Sequence, residues 1–177
     1  MSRRIYLVVA ALLAATVFAP ARSLGAQKPR PGDPVPDFAF SDFGGKQHHL
    51  SEYSGHYLLL DFWATWCRPC VKEVPILKQA ENLYRERGLI ILGLNSDEKV
   101  EKAREFLARK HISWPQSAPQ STKGITEGAL NVKWYPTMIL LDPHRRIVFV
   151  SGNGKKIFKG KKLLKTLDDI LPPAHFR

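Results

Sequence analysis

Two apolar runs mark the centre of the chain. Residues 57–63 are apolar except for Asp61, and residues 89–94 form the second run. Runs of this length without polar alternation are typical of strands buried on both faces of a parallel sheet. A helix that ends at Gly88 is predicted between them, because apolar residues recur there at spacings of three and four. These residues are Val71, Val74, Leu77, Ala80 and Tyr84. Pro75 lies inside this helix and predicts a kink.

The other segments complete a mixed sheet. The pattern predicts a short strand at Phe38 and Phe40, a turn at 41–45, a helix at 98–110, an irregular stretch at 111–123, a short helix near 125–130, a strand at 137–141, a turn at 142–145, an antiparallel strand at 147–150 and a last helix at 161–171. This order of elements predicts an α/β fold, in which a central mixed sheet is flanked by helices.

Residues 1–26 have the pattern of a secretory signal peptide. Arg3 and Arg4 precede an apolar run at 5–18, and small residues follow that run. A membrane span needs about 20 apolar residues, so the alternative, an uncleaved membrane anchor, would use residues 5–21. Either interpretation predicts that the protein is exported.

A proline-rich segment, residues 27–34, is expected to be a stiff linker between the signal and a domain at 35–177. A domain of this size buries roughly 70% of the surface of its unfolded chain, which is enough for a core without disulfide staples. An exported protein also meets an oxidising compartment, where two neighbouring thiols can form a lasting disulfide.

The chain is basic, with 27 Lys and Arg against 16 Asp and Glu and a formal net charge of +11. Part of the excess lies near the C-terminus, at Lys155, Lys156, Lys159, Lys161, Lys162 and Lys165. We interpret this region as a solvated helix face with its approach loop; the alternative is attraction to anionic lipid or to an acidic partner. No nucleic-acid partner is expected, because the chain has an export signal and no basic and aromatic binding motif.

Cys67 and Cys70 are the only cysteines and lie where the first buried strand passes into the predicted helix. The free backbone N–H groups and the dipole of a helix N-terminus stabilise a thiolate, so the pKa of Cys67 is expected to be low. Pro69 fits the first helical turn. The spacing predicts that Cys67 attacks a substrate disulfide and that Cys70 then releases the substrate by attacking Cys67. Two sulfurs suffice for this cycle, so no cofactor is expected.

Two other uses of the cysteine pair are disfavoured. A structural zinc site needs four ligands, and the chain has no second Cys-x-x-Cys pair and no suitably spaced histidines, since His48 and His49 are adjacent. A purely structural disulfide across so short a loop would add little stability. No metal ligands are therefore assigned.

Two acidic residues are candidates for proton transfer. Asp61 interrupts an apolar strand, where a buried carboxylate is costly, so a raised pKa is expected. The alternative is a hydrated position at the strand edge. Glu73 follows Cys70 by three residues and shares its helix face, although an ordinary solvated position is an equal alternative.

Substrate is expected to contact residues around the cysteines: Trp66, Arg68, Pro69, Tyr135 and Pro136. Trp66 is interpreted as an apolar rim or, alternatively, as core. From the residues alone the Tyr135-Pro136 bond is either cis, which would direct backbone groups toward a docking peptide, or trans at the start of a strand.

With these motifs in place, the chain resembles the thioredoxin superfamily and, within it, the exported TlpA/ResA-like thiol-disulfide oxidoreductases. The resemblance is carried by GDPVPDFAFSDFGG, HLSEYSG, LLLDFWATWCRPCVKEVPIL, the Trp114-Pro115 pair, LNVKWYPTMILLD and a closing GNG. It implies a thioredoxin-like fold with an N-terminal extension, Cys67 as the attacking thiol, Cys70 as the resolving thiol and a cis Pro136 facing them. Glu73 matches an acidic position of this family, whereas Asp61 matches the buried acid of thioredoxin, where many TlpA/ResA-like members carry Asn. Residues 116–123 depart from the family pattern.

The resemblance also implies a function. It implies reduction of disulfides in cysteine-containing exported proteins, in the periplasm or at the outer face of a bacterial inner membrane, for example in cytochrome c maturation. A membrane electron donor would re-reduce the protein. Arg68 favours a stable thiolate and hence the alternative of a disulfide-forming oxidase. A thioredoxin-like peptide-binding or chaperone module is a second alternative. A peroxiredoxin is disfavoured, because Ala64 occupies the position of the threonine that such an enzyme requires.

Overall fold

A mixed sheet forms the centre of the molecule in the computed structural model, which describes residues 28–152, 157 and 160–173. The strands are β1 (Ala39–Ser41), β2 (Gln47–His49), β3 (Tyr57–Trp63), β4 (Leu89–Asn95), β5 (Gln116–Ser117), β6 (Thr137–Leu141) and β7 (Ile147–Gly152). The order in the main sheet is β5-β4-β3-β6-β7, and β1 pairs with β2 in a separate antiparallel pair. Within the main sheet β3, β4 and β5 are parallel, whereas β6 and β7 are antiparallel to their neighbours.

Helices cover the sheet and connect its parallel strands. They are α1 (Arg68–Tyr84), α2 (Val100–Arg109), α3 (Pro119–Gly124) and α4 (Lys161–Ile170). Two 3₁₀ turns occur at Leu50–Tyr53 and Arg85–Arg87, and a π-helical turn at Ile125–Ala129 follows α3 directly. Gly88 adopts a left-handed φ of 82° after the second 3₁₀ turn, as a residue without Cβ does at low cost.

The alternation of side chains along β3 decides which residues face α1. Leu58, Leu60 and Phe62 belong to a core cluster on one face, together with residues of β1 and of the π-helical turn. Leu59 belongs to the opposite cluster, which contains residues of α1 and α4. Because successive strand residues point to opposite faces, Asp61 and Trp63 lie on the same face as Leu59, beneath α1.

Most of the predicted architecture is confirmed. The central mixed sheet with flanking helices forms as predicted, and the strands predicted at 57–63, 89–94 and 137–141 are present. The helix between the first two strands is α1, and it contains Pro75. The predicted helices at 98–110 and 161–171 are α2 and α4, with ends that differ by one or two residues.

The prediction of an irregular stretch at 111–123 is wrong. Gln116 and Ser117 form β5 beside β4, and α3 begins at Pro119, where a residue without an N–H fits the first helical turn. The strand β2 was not predicted, because Gln47–His49 has no apolar alternation. The strand β7 extends to Gly152, two residues beyond its predicted end.

Residues 32 and 33 make backbone contacts with β7. Gly32 donates a backbone hydrogen bond to Ile147, and Ile147 donates one to Asp33. The predictions of a signal peptide or anchor at 1–26 concern residues outside the described part, as do Lys155, Lys156 and Lys159. Among the described residues, no helix has the length and apolar character that crossing a membrane requires.

Candidate active site

Cys67 and Cys70 are joined by a disulfide at the start of α1. Their Cα atoms are 5.3 Å apart, and each residue is only 5% exposed. Cys67 is the N-cap residue of the helix, and the backbone N–H of Cys70 donates a hydrogen bond to the Cys67 sulfur at 3.3 Å. The same N–H and the helix dipole would stabilise negative charge on that sulfur once the disulfide is reduced.

Two carboxyl groups, one on β3 and one on α1, are buried. Asp61 is 6% exposed and Glu73 is 7% exposed. Burial, together with the negative charge of Glu73, raises the pKa of Asp61 to about 7. The raised pKa and the burial agree with the prediction for Asp61 and exclude a hydrated strand edge. Glu73 lies one helical turn after Cys70 and is buried rather than solvated, so an acidic pair and the disulfide share one side of α1.

A hydrogen-bond network holds the segment that leads into Cys67. Asp97, which is 3% exposed, accepts hydrogen bonds from the backbone N–H of Thr65, from its hydroxyl at 2.6 Å and from the side-chain amide of Asn95 at 2.7 Å. The donors are a backbone amide, a hydroxyl and a side-chain amide, all of them neutral groups. The network ties the end of β4 to the residue two positions before Cys67.

Trp63 is fixed by a second polar contact that sequence reasoning missed. Its indole N–H donates to the side-chain oxygen of Gln116 at 3.0 Å, and both residues are buried. Gly93 makes this possible, because a Cβ at that position would collide with the Gln116 side chain. Trp63 in turn belongs to the apolar cluster that contains both cysteines.

An aromatic pair forms the rim of the site. Trp66 is 60% exposed, and its ring contacts that of Tyr135 edge to face at a centroid distance of 5.6 Å. The Tyr135 hydroxyl is hydrogen-bonded to Ser96 at 2.5 Å, and Tyr135 packs against the cluster that contains the cysteines. The bond between Tyr135 and Pro136 is cis, as the family resemblance implied.

Gly152 supports Pro136 from the neighbouring strand. It has a φ of 84°, and a Cβ there would overlap the Pro136 carbonyl oxygen. Only glycine therefore fits this close approach without strain.

Several predicted site residues lie at the N-terminal end of α1. Arg68 and Pro69 are exposed in its first turn, while Trp66 and Tyr135 are in contact beside it. Sequence reasoning missed Asn95, Ser96 and Asp97, although they lie at the carboxyl end of the buried parallel strand β4, and such strand ends are where sites form. Among the described residues, no group of three or more His, Cys, Asp or Glu has a geometry that could hold a metal ion.

Comparisons with known proteins point to one kind of chemistry. A model of the Redoxin family matches residues 30–163. The thiol-disulfide oxidoreductase ResA of Bacillus cereus is 32% identical over 122 residues, which cover 69% of each chain. ResA of Geobacillus thermodenitrificans is 32% identical over 129 residues, 73% of this chain and 69% of that protein.

Two solved structures have the same fold. The thioredoxin domain of a thiol-disulfide oxidoreductase from Bacteroides vulgatus has a TM-score of 0.71 and 26% identity, over 81% of this chain and 99% of that one. A thiol:disulfide interchange protein from Bacteroides sp. has a TM-score of 0.72 and 25% identity, over 84% and 95%. The chain is thus similar to these proteins in both sequence and fold.

Proposed function

Because the chain belongs to the Redoxin family and is a thiol-disulfide oxidoreductase, we propose that it is a reductase of disulfides in exported proteins. The observation that carries this proposal is the pair of buried carboxyl groups, Asp61 and Glu73, on the same side of α1 as the disulfide. Negative charge near a dithiol disfavours its thiolate, and a less stable thiolate makes the pair more reducing.

Cys67 is the attacking thiol in this proposal. Its sulfur accepts a hydrogen bond from the Cys70 N–H and lies at the N-terminus of α1. Both features favour the thiolate that attacks. The Cys67 thiolate bonds to one sulfur of the substrate disulfide, and the other substrate sulfur leaves as a thiolate that takes a proton from solvent.

Cys70 resolves the mixed disulfide. It loses its thiol proton to the Asp61 and Glu73 pair and attacks the Cys67 sulfur, and the second substrate sulfur leaves as a thiolate that takes a proton from solvent. A carboxyl with a pKa of about 7 suits this role, because it accepts and returns a proton near neutral pH. Two protein thiols and one substrate disulfide thus become one protein disulfide and two substrate thiols.

Re-reduction of the protein needs an external dithiol. We assign this step to a membrane electron donor, since a signal or anchor at 1–26 would place the protein on the far side of the membrane from cytoplasmic reductants. The location would be the periplasm or the outer face of a bacterial inner membrane. Apocytochrome c, whose cysteines must be reduced before haem attachment, is one substrate of this chemical class.

The substrate would meet the protein at the exposed rim. Trp66 and Tyr135 offer apolar contact beside Cys67, and the first turn of α1 presents Arg68 and Pro69. Pro136, which follows Tyr135, is the last of the residues proposed to contact substrate. The positive charge of Arg68 stabilises the thiolate, whereas the buried acids destabilise it. The direction of electron flow depends on the balance between these two effects.

The reduction potential tests the direction. The purified protein is equilibrated with defined thiol-disulfide buffers, and its free thiols are trapped and counted. We expect a value near that of thioredoxin, about −270 mV, whereas a value near −120 mV would make the protein an oxidase. A Cys70→Ser variant should accumulate the mixed disulfide on Cys67. A chaperone would instead retain its peptide-holding activity in a Cys67→Ala variant, and this result would favour the non-enzymatic alternative.

A further inference from the structure

A groove runs from the aromatic rim along α3 and the π-helical turn. Its volume is about 450 Å³, and it is bounded on one side by Trp66 and Tyr135. The groove is also lined by residues of α3 and the π-helical turn, Pro119, Gln120, Lys123, Thr126 and Glu127, and by residues that follow the core of β4, Ser96, Asp97 and Glu98. Trp66 directly precedes Cys67 in the chain, so the end of the groove at Trp66 is next to Cys67.

The groove is acidic in an otherwise basic protein. Among the described residues, its lining has three carboxylates, Asp97, Glu98 and Glu127, and one cation, Lys123. Within the described part of the chain, Glu98 and Glu127 form no salt bridge, and both are exposed. The hydrogen-bond donors to Asp97 are neutral. The formal net charge of the whole chain is +11, so the negative sign here is local.

A second cleft on Trp66 lacks this imbalance. It has a volume of about 370 Å³ and is lined by Thr65 and Trp66, by Asp97 and Glu98, and by Lys99 and Lys102. Its two acids and two cations offset each other. Asp97 and Glu98 line both cavities, whereas Glu127 lines the groove and not the cleft, so Glu127 is the carboxylate that distinguishes the groove.

We infer that the groove between the aromatic rim and α3 binds a basic, extended segment of the substrate protein next to its disulfide. This inference rests on the proposed function and names the kind of substrate. Glu98 and Glu127 meet Lys or Arg side chains of that segment, while Trp66 and Tyr135 contact its apolar parts. Exposed ion pairs contribute little each, but two of them together produce a preference of about three- to tenfold.

The assay uses peptides that contain one internal disulfide and differ only in their flanking residues, which are three Lys, three Gln or three Glu. The pre-reduced protein is mixed with each peptide, and the second-order rate constant of its oxidation is measured. The Lys peptide should react about three- to tenfold faster than the Glu peptide, and the ratio should fall as ionic strength rises. In Glu98→Gln/Glu127→Gln the ratio should approach one.

Two further variants make the test specific. Glu86→Gln/Glu105→Gln changes the net charge equally at exposed positions outside the groove and should keep the wild-type ratio. Lys123→Gln removes the cation found among the described lining residues and should increase the ratio. Equal rates for the Lys and Glu peptides in the wild-type protein, or an equal loss of preference in the Glu86 and Glu105 control, would overturn the inference.

A binding measurement separates this inference from the proposed function. Affinities of the oxidised protein are measured for the same peptides with Ser in place of Cys. If no peptide is reduced but the Lys peptide still binds more tightly through Glu98 and Glu127, the reductase proposal fails and the groove assignment stands. If all peptides are reduced and bound without regard to charge, the groove assignment fails alone.

Discussion

Replacing Asp61 by Asn removes a buried ionisable group and keeps nearly the same shape. The pKa of Asp61 is raised from 3.8 to about 7 in the folded protein, by burial first and by Glu73 second. At pH values between 3.8 and about 7, Asp61 therefore keeps its proton in the folded state and has lost it in the unfolded state. Folding stability should decrease as pH rises from about 4 to about 7, and the full cost of the charged carboxylate should be present above pH 7.

The size of this effect follows from the shift. One pKa unit corresponds to about 1.4 kcal/mol, so a shift of roughly three units amounts to a cost on the order of 4 kcal/mol above pH 7. Asp61→Asn has no such proton to lose. Its free energy of unfolding, measured relative to the wild-type protein, should therefore rise across this pH range by an amount of that order.

The assay is denaturant unfolding of the wild-type protein and of Asp61→Asn, both oxidised, at a series of pH values from 4 to 8. Asp169→Asn, which removes an exposed carboxylate that pairs with Lys165, is the matched control and should show little pH-dependent difference. A kinetic arm follows resolution of a mixed disulfide on Cys67. Loss of one of two buried acids should slow this step about tenfold or more, with a changed pH profile.

The outcomes separate the two claims about Asp61. If the stability difference between the wild-type protein and Asp61→Asn is the same at pH 4 and at pH 8, the carboxyl does not titrate as argued. If the stability difference appears but the rate of resolution and its pH profile are unchanged, Asp61 is a buried acid without a part in proton transfer.

Two further predictions concern the supports of the site. Gly152→Ala should lower the free energy of unfolding by about 2 kcal/mol or more in denaturant titrations and impair turnover, because its Cβ overlaps the Pro136 carbonyl. Gly45→Ala has a similar φ of 86° but open space, so an equal loss there would show that the contact with Pro136 is immaterial. Asp97→Ala should remove the hydrogen bonds to Thr65, destabilise the protein by about 3 kcal/mol and slow attack on substrate disulfides. Asp97→Asn, which keeps one acceptor oxygen, should restore part of the stability and part of the rate of attack. A wild-type rate of attack in Asp97→Ala would refute the positioning role.

The predictable parts of the fold are the elements that are buried through a regular pattern of apolar residues. The strands β3 and β4 are almost wholly apolar, and α1 has a regular apolar face, so their positions follow from the hydrophobic effect and the helical period. The two cysteines lie at the junction of such elements. Their placement at a helix N-terminus was therefore predictable with the elements themselves.

The parts that were not predictable depend on polar groups buried by tertiary contacts. Gln116 and Ser117 read as loop residues, yet they form β5 because the Trp63 indole and the β4 backbone provide partners. Asp97 falls between the predicted strand at 89–94 and the predicted helix at 98–110, and no role was predicted for it, yet it is buried and accepts hydrogen bonds from Thr65 and Asn95. Sequence periodicity does not reveal such long-range contacts. For the same reason it did not decide whether Glu73 is buried or solvated.

The contact between Gly93 and Gln116 has a consequence for how this sequence can change. A methyl group at position 93 would occupy the space that the Gln116 side chain now fills, and a shorter residue at position 116 would leave the Trp63 indole without its acceptor. Neither position can therefore vary alone at low cost. Homologues that carry a larger residue at position 93 should have exchanged the glutamine as well, together with whatever anchors the tryptophan beneath the redox-active cysteines.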